Sequence, residues 1–138
     1  MSVIPKKGIV VDGSTMGNPG LSEYRGLDLE TGEIVFKQNI GITTNNICEF
    51  LALVHALAHA KKNGLGVYVY SDSQTALSWV KNRKCNSSLE CNNNTKYAYD
   101  LVNRAERWLR ANHHSVKGIY LKWETKSWGE NPADYGRK

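Results

Sequence analysis

Residues 8–20 read GIVVDGSTMGNPG, and one carboxylate in this stretch bears on both the fold and the function. Three apolar residues, Ile9 to Val11, predict a short buried strand over 8–12 that runs straight into Asp12. The small residues that follow predict a loop over 13–20. An isolated anion is costly to bury, so we expect Asp12 to be paired, hydrogen-bonded or bound to a cation.

Outward from this strand, the chain predicts a meander followed by a long helix. A turn signal at Thr31-Gly32 separates two further strands, over 21–29 and 33–41. Apolar residues then recur at intervals of three and four over 46–63, which predicts a helix, and Gly64 ends it.

The second half of the chain alternates between strands and helices. The patterns predict a strand over 67–70, a helix over 73–82, a polar loop over 84–94, a helix over 95–112 and a strand over 117–123. Asn131-Pro132 predicts the start of a final short helix, with asparagine as N-cap and proline at the first helical position.

The resulting order, βββαβααβα, predicts an α/β fold with a five-stranded mixed sheet flanked by helices. The first three strands are expected to be antiparallel neighbours. The fourth and fifth follow helical crossovers and are expected to run parallel to the first, which then lies mid-sheet with the fourth beside it.

Composition sets limits on the class of protein. The 138 residues suit one domain, and 41% hydrophobic and 22% charged residues are typical of globular proteins. No apolar run reaches the roughly 18 residues of a membrane span, and there is no signal-peptide pattern, so we expect no membrane association and a cytoplasmic location. The net charge of +5 permits an anionic partner. Three cysteines without CxxC spacing are expected to be free thiols.

Three further acids sit at the ends of predicted elements: Glu49, Asp72 and Asp134. Each has a simple alternative role. Glu49 and Asp134 each lie three residues after an asparagine and could complete a helix cap, and Asp72 could cap the helix that follows it.

Taken together, the acids predict a metal site. The expected topology places Asp12 and Asp72 on adjacent central strands, and the helix starts that carry Glu49 and Asp134 can converge there. Four carboxylates in one pocket repel one another, and oxygen-only ligands suit Mg²⁺ or Mn²⁺. Two such ions roughly 3.5–4 Å apart stabilise the attacking and leaving oxygens of a phosphoryl displacement. We therefore interpret Asp12 as a buried metal ligand.

Four motifs then resemble those of one family: 11-VDGSTMGNPG-20, 43-TTNNICEFLAL-53, 70-YSDSQTALSWV-80 and 128-WGENPADYGRK-138. With the order of the acids, they make the chain similar to type 1 ribonuclease H, the endonuclease that cuts the RNA strand of RNA–DNA hybrids. The resemblance implies that Asp12, Glu49, Asp72 and Asp134 bind two Mg²⁺ ions, for which Mn²⁺ can substitute. It also implies hydrolysis to 5′-phosphate and 3′-hydroxyl ends.

The chain departs from the family pattern in three ways. Many members carry a histidine in the loop before the last helix, but 123-WETKSWGEN-131 has none. A bacterial subgroup has glutamate in that role, which makes Glu130 a candidate for assisting product release or positioning the second metal; the alternative is a solvated loop acid. The loop 84–94 is too short for a basic protrusion. We expect no N-terminal hybrid-binding domain, so residues 1–138 would form a single, monomeric catalytic domain.

Substrate contacts follow from the need to recognise the 2′-hydroxyl of RNA. Small or amide residues near the acids are candidates: Ser14, Gly17, Asn18, Asn45, Asn46 and Gln74. The resemblance adds a pocket for a DNA phosphate made by Thr44, Asn46, Ser87 and Ser88. It also suggests Trp79 against a deoxyribose, although Trp79 could equally be a core residue. Lys122, Arg137 and Lys138 are candidate phosphate contacts, and ordinary surface cations otherwise.

Three other functions remain open at this point. One is a nuclease of the same fold with another substrate, such as a transposase, integrase or junction-resolving core. The second is a hybrid-binding module with an inactive site. The third is a catalytic domain of a reverse transcriptase or another larger enzyme. A zinc protease site is disfavoured, because His55 and His59 lack the adjacent glutamate of HExxH.

Overall fold

A computed structural model describes residues 4–64 and 66–135. The strands and helices follow one another as β1 (Ile9–Gly17), β2 (Gly20–Asp28), β3 (Ile34–Thr43), α1 (Asn45–Lys62), β4 (Val69–Ser71), α2 (Gln74–Asn82), α3 (Lys96–Val116), β5 (Tyr120–Lys122) and α4 (Thr125–Trp128).

One mixed sheet of five strands, in the order β3-β2-β1-β4-β5, organises these elements. β1, β2 and β3 are antiparallel neighbours. β4 pairs in parallel with β1, and β5 pairs in parallel with β4. The predicted fold class and strand directions are therefore confirmed, including the central position of the first strand beside the fourth.

The first hairpin is longer than the sequence suggested. β1 continues through the predicted loop to Gly17, where it pairs with Gly20, so that Asp12 lies within the strand and not at its end. Only Asn18-Pro19 forms the connection. Small residues predict a loop here, but cross-strand pairing with β2 over this whole stretch overrides that local preference.

The C-terminal segment also differs from the prediction. The helix expected from Asn131-Pro132 is absent from residues 131–135, where Pro132 and Ala133 form a turn, while the short α4 was not predicted. The N–H of Ala133 is bonded by the Asn131 side chain, and the carbonyl of Ala133 is taken by Arg25. Side chains thus satisfy backbone groups that a helix would otherwise use.

Other elements have shifted ends. α3 continues beyond the predicted end at 112 to Val116, and β5 covers Tyr120–Lys122 in place of 117–123. Within the part of the chain described, no helix combines the length and apolarity needed to cross a membrane. The predicted free thiols are confirmed: Cys48 and Cys85 are buried, and Cys91 is exposed.

The core lies between the sheet and α1, whose side chains are buried along most of its length. Burial of residues such as Phe50, Leu53 and Leu57 stabilises this layer by roughly 1.5–3 kcal/mol per side chain. A smaller cluster of Val10, Tyr70, Trp123 and Ala133 also packs together. It includes both the centre of the sheet and the C-terminal segment, and so ties residues 123–133 to β1 and β4.

Candidate active site

Three acids converge where β1, β4 and α1 meet. One carboxylate oxygen from each of Asp12, Glu49 and Asp72 lies within 4.8 Å of the others. Asp12 and Glu49 are almost completely buried, at 0% and 1% exposure, and Asp72 is half-buried. Three carboxylates so close together favour a bound cation, and their all-oxygen donor set fits a hard divalent ion such as Mg²⁺ or Mn²⁺.

Glu49 is held from the sheet by a backbone donor. The N–H of Gly13 donates a short hydrogen bond to Glu49 Oε1, joining β1 to the start of α1. A Cβ at position 13 would lie 2.7 Å from Cys48 Sγ and 2.8 Å from that same oxygen. Glycine is therefore required here by the close approach of the helix, and the approach brings Glu49 to Asp12.

Asp12 is fixed from the opposite direction. Its Oδ2 accepts a hydrogen bond of 3.1 Å from the N–H of Tyr135, which brings the C-terminal segment to the cluster. Arg25 holds the same segment: Nε donates to the carbonyl of Ala133 at 2.8 Å, and Nη2 donates to that of Asp134 at 2.9 Å. The Arg25 guanidinium also lies 4.2 Å from the centre of the Tyr135 ring.

Asp72 follows β4 directly, in the short connection to α2. Asn131 approaches it, with Nδ2 3.4 Å from Asp72 Oδ2 and 2.9 Å from the carbonyl of Val11. Asn131 is buried, and its side-chain amide contacts both β1 and the residue that follows β4. It therefore orients the C-terminal segment against the two strands that carry Asp12 and Asp72.

The helix-cap alternatives for two of the acids are wrong. Thr44, not Asn46, is the N-cap of α1, and its hydroxyl accepts from the N–H of Ile47 at 3.3 Å. Ser73, not Asp72, caps α2 by accepting from Ala76 N–H at 3.1 Å. Since other residues cap both helices, Glu49 and Asp72 are left for the cluster.

The two remaining acids lie on the C-terminal segment. Asp134 is not among the three acids that meet within 4.8 Å, but its peptide bond to Tyr135 is hydrogen-bonded to Asp12. Its expected place in the first turn of a helix is wrong for the residues described, since 132–133 form a turn. Glu130 is exposed, between α4 and Asn131.

A separate polar pocket lies beside the N-terminus of α1. Its cavity of about 290 Å³ is lined by all four residues of the expected phosphate pocket, Thr44, Asn46, Ser87 and Ser88, together with Asn18, Trp79, Asn86 and Leu89. Trp79 is half-buried and packs edge-on against Phe50, with ring centres 6.0 Å apart. Trp79 therefore packs on the core and also lines the pocket, and its contact with a deoxyribose stays a prediction.

The other predicted substrate residues differ in their exposure and in their hydrogen bonds. Asn18 Oδ1 accepts from Asn45 N–H at 2.9 Å, which joins the hairpin tip to the start of α1. Gly17 and Gln74 are exposed, whereas Ser14 is buried. Lys122 is exposed on β5. Arg137 and Lys138 lie outside the described residues.

Burial controls the protonation of two groups beside the acids. Burial, and next the Glu49 carboxylate, raises the pKa of the Cys48 thiol to about 12. Burial also raises the pKa of Tyr135, as does the negative charge of Glu23, while Arg25 opposes the shift. Cys48 therefore stays a neutral thiol at neutral pH and is not a nucleophile.

Sequence reasoning missed Arg25 and Asn131 as residues of the site. Arg25 stands in 23-EYRG-26, where alternation on a strand gives no sign of a partner more than 100 residues away. The sequence predicts Asn131 as a helix cap, not as a contact of the acid cluster. Its bond to Val11 depends on a tertiary contact that local patterns do not contain.

The fold and the acid cluster define a nuclease-type α/β domain, and comparison with known proteins narrows the class. The RNase H family model matches residues 6–126, a range that contains Asp12, Glu49 and Asp72 and ends before Glu130 and Asp134. The chain belongs to the RNase H family, and the predicted enzyme class, ribonuclease H, is confirmed.

Individual relatives agree with this assignment. A ribonuclease H of Neorickettsia sennetsu is 30% identical over 128 residues, covering 83% of this chain and 78% of the relative. One from Ruthia magnifica is 29% identical over 133 residues, covering 91% and 88%. Among solved structures, LC11-RNase H1 from compost has a TM-score of 0.56 at 22% identity, covering 88% of this chain and 86% of that one. RNase H1 of Halobacterium salinarum has a TM-score of 0.51 at 21% identity, with 88% and 87% coverage. These structures share the fold.

Proposed function

We propose that this chain hydrolyses the RNA strand of RNA–DNA hybrids, using two divalent metal ions held by Asp12, Glu49, Asp72 and Asp134. The observation that carries the proposal is the meeting of three carboxylates within 4.8 Å, two of them buried, in a chain of the RNase H family. Mg²⁺ is the expected ion, with Mn²⁺ as a substitute, because the donors are all oxygens.

The proposed reaction needs no covalent intermediate. A water molecule attacks the phosphorus in line, the bond to the 3′-oxygen breaks, and that oxygen takes up a proton. The products are a 5′-phosphate and a 3′-hydroxyl. Divalent ions bound by the four acids would stabilise the negative charge on the attacking and leaving oxygens. Asp12 and Glu49, buried and anchored by backbone N–H groups, give such ions fixed ligands.

Recognition of the hybrid would use two sites at once. The pocket of Thr44, Asn46, Ser87 and Ser88 would take a phosphate of the DNA strand while the acids engage the RNA strand. Asn18 and Asn45 are hydrogen-bonded to each other and would contact the minor groove, where the 2′-hydroxyl is accessible. Ser14, Gly17 and Gln74 would add contacts near the acids, Trp79 would pack against a deoxyribose, and Lys122 would contact a phosphate.

Glu130 would assist product release. It is exposed and lies four residues before Asp134, on the segment that bonds to Asp12. An exposed carboxylate there could exchange with water or product at a bound metal without being a fixed ligand. Glu130→Gln is expected to slow steady-state turnover while the single-turnover cleavage rate changes little.

The deciding experiment is cleavage of an end-labelled RNA–DNA hybrid in Mg²⁺, Mn²⁺ or EDTA, with duplex DNA and duplex RNA in parallel. Cutting of only the RNA strand of the hybrid, abolished by EDTA, supports the proposal. The absence of cutting by folded protein in either metal would overturn it, and retained hybrid binding would then point to a binding module.

A further inference from the structure

We propose that Arg25 is a positioning residue, which holds the peptide unit between Asp134 and Tyr135 in place and thereby sets the direction of the Asp134 side chain. The inference rests on the proposed metal-dependent function of the acids. Arg25 itself is on β2, in the middle of the antiparallel hairpin. Its hydrogen bonds to the C-terminal segment go to two main-chain oxygens.

Both polar groups of this peptide unit are hydrogen-bonded to side chains. Its carbonyl oxygen, from Asp134, accepts from Arg25 Nη2 at 2.9 Å. Its N–H, from Tyr135, donates to Asp12 Oδ2 at 3.1 Å. Arg25 and Asp12 are themselves cross-strand partners in the β1–β2 pairing. One rigid peptide plane is thus held on both polar sides by two neighbouring side chains of the sheet.

The preceding residues are fixed in the same way. The carbonyl of Ala133 accepts from Arg25 Nε, and its N–H donates to Asn131 Oδ1 at 2.8 Å. The N–H of Asp134 donates to the carbonyl of Asn131 at 2.9 Å. From Ala133 N–H to Tyr135 N–H every backbone donor and acceptor has a partner, and both acceptors bond to the single guanidinium of Arg25.

Arginine is suited to this role by its shape. Two donors in a planar fork meet two successive carbonyls, while the face of the guanidinium lies over the Tyr135 ring at 4.2 Å. A lysine would bring the same charge on a similar stem but a single nitrogen, with no planar fork. The proposal therefore predicts that the planar shape of the Arg25 guanidinium matters in addition to its charge.

Four proteins test the proposal: wild type, Arg25→Met, Arg25→Lys and the control Lys37→Met. Lys37 pairs with Arg25 across the sheet from β3 and makes only a partly exposed ion pair with Glu23 among the described residues. Mn²⁺ binding is measured by calorimetry without substrate. Arg25→Met is expected to weaken it roughly tenfold or more, the usual effect of removing a group that orients a metal ligand. Arg25→Lys is expected to be intermediate, and Lys37→Met unchanged.

A double variant distinguishes a positioning role of Arg25 from a general disruption of the fold. If Arg25 acts through Asp134, adding Arg25→Met to Asp134→Asn weakens Mn²⁺ binding no further than Asp134→Asn does alone. Independent, multiplying losses would overturn the proposal, and so would Mn²⁺ binding at wild-type affinity by folded Arg25→Met. Should Arg25→Met not fold, Arg25→Lys decides, and wild-type affinity in that variant overturns the role of the fork.

The same series separates this inference from the proposed function. Cleavage of the hybrid by the wild-type protein tests the function alone. A wild-type protein that cleaves, with variants that bind Mn²⁺ normally, removes only the role of Arg25. A wild-type protein that neither cleaves nor binds Mn²⁺ removes the proposed function and, with it, the inference.

Discussion

The backbone N–H of Gly13 donates to Oε1 of Glu49, and this bond joins the central strand to the first helix directly at the acid cluster. The contact exists only because residue 13 has no side chain, since a Cβ would lie under 3 Å from both Cys48 Sγ and the Glu49 carboxylate. The packing of α1 on β1 and the position of Glu49 therefore depend on the same glycine.

Gly13→Ala should damage stability and activity together. The added methyl group must displace Cys48 or Glu49, and overpacking of this kind costs about 1–3 kcal/mol in the free energy of unfolding. Urea unfolding and hybrid cleavage measure the two effects. Gly66→Ala is the matched control, since its Cβ meets nothing within 4 Å and its φ is not positive. Wild-type cleavage by Gly13→Ala would show that Glu49 tolerates displacement.

Asp12→Asn should abolish cleavage but not folding. Asparagine keeps an oxygen that can accept from Tyr135 N–H, whereas the lost negative charge weakens the proposed metal site, which is worth several kcal/mol to the reaction, or more than about 1000-fold in rate. Single-turnover cleavage and thermal unfolding in EDTA provide the measurements. Activity within tenfold of the wild type would argue against Asp12 as a ligand.

A substitution in the polar pocket should weaken binding of the hybrid without slowing turnover. Asn46→Ala should raise KM for the hybrid severalfold and leave kcat nearly unchanged, because Asn46 lines the pocket and is not one of the acids. Because every residue that lines the pocket is neutral, Asn46→Ala should leave the salt dependence of binding close to that of the wild type. A loss in kcat alone would place Asn46 at the reacting strand.

Thr44 has two roles that can be measured separately. Thr44→Ala removes the N-cap oxygen of α1 and should lower the free energy of unfolding by about 1 kcal/mol, in addition to raising KM. Thr44→Ser keeps the oxygen and serves as the control. Equal stability of the alanine and serine variants would show that the cap contributes little here.

A half-buried histidine, His55, should make stability depend on pH. Burial, and next the charge of His59, lowers the pKa of His55, whose Nδ1 lies 2.7 Å from the Tyr24 hydroxyl. The folded state therefore favours neutral His55, and the unfolded state binds the proton more readily. This contribution is present above the unfolded pKa of about 6.5 and is lost as pH falls through the lower folded value.

The expected result is a free energy of unfolding that decreases on acidification below about pH 6.5. His55→Gln, which keeps an acceptor for Tyr24 but cannot be protonated, should reduce that decrease. His114→Gln removes an exposed histidine and is the control. The same pH dependence in all three proteins would assign the effect to other groups.

The sequence contained most of what was needed for the fold, because periodicity and turn residues are local signals. The helical spacing of Ile47, Phe50 and Leu51 predicted α1, and the order of elements predicted the strand directions. The cluster of Asp12, Glu49 and Asp72 could also be predicted, because the order of elements is enough to bring their strands and helix together.

What could not be predicted depends on tertiary contacts. Pairing with β2 turns a glycine-rich stretch after Asp12 into strand, against its local preference. Residues 131–135 have a helix-start pattern. However, Arg25 donates hydrogen bonds to carbonyls of this segment, and Asn131 donates to the carbonyl of Val11. These tertiary bonds replace the helix that the local pattern predicts. No local pattern reveals hydrogen-bond partners that lie far away in the sequence.

The position of the acids along the chain also sets the order in which they are synthesised. On the ribosome, all five strands have been translated once Lys122 is added, and Asp134 follows later. The segment that carries Asp134 then bonds to Asp12, on the first strand to be made. Asp12 is therefore the first of the four acids to be synthesised, and Asp134 is the last.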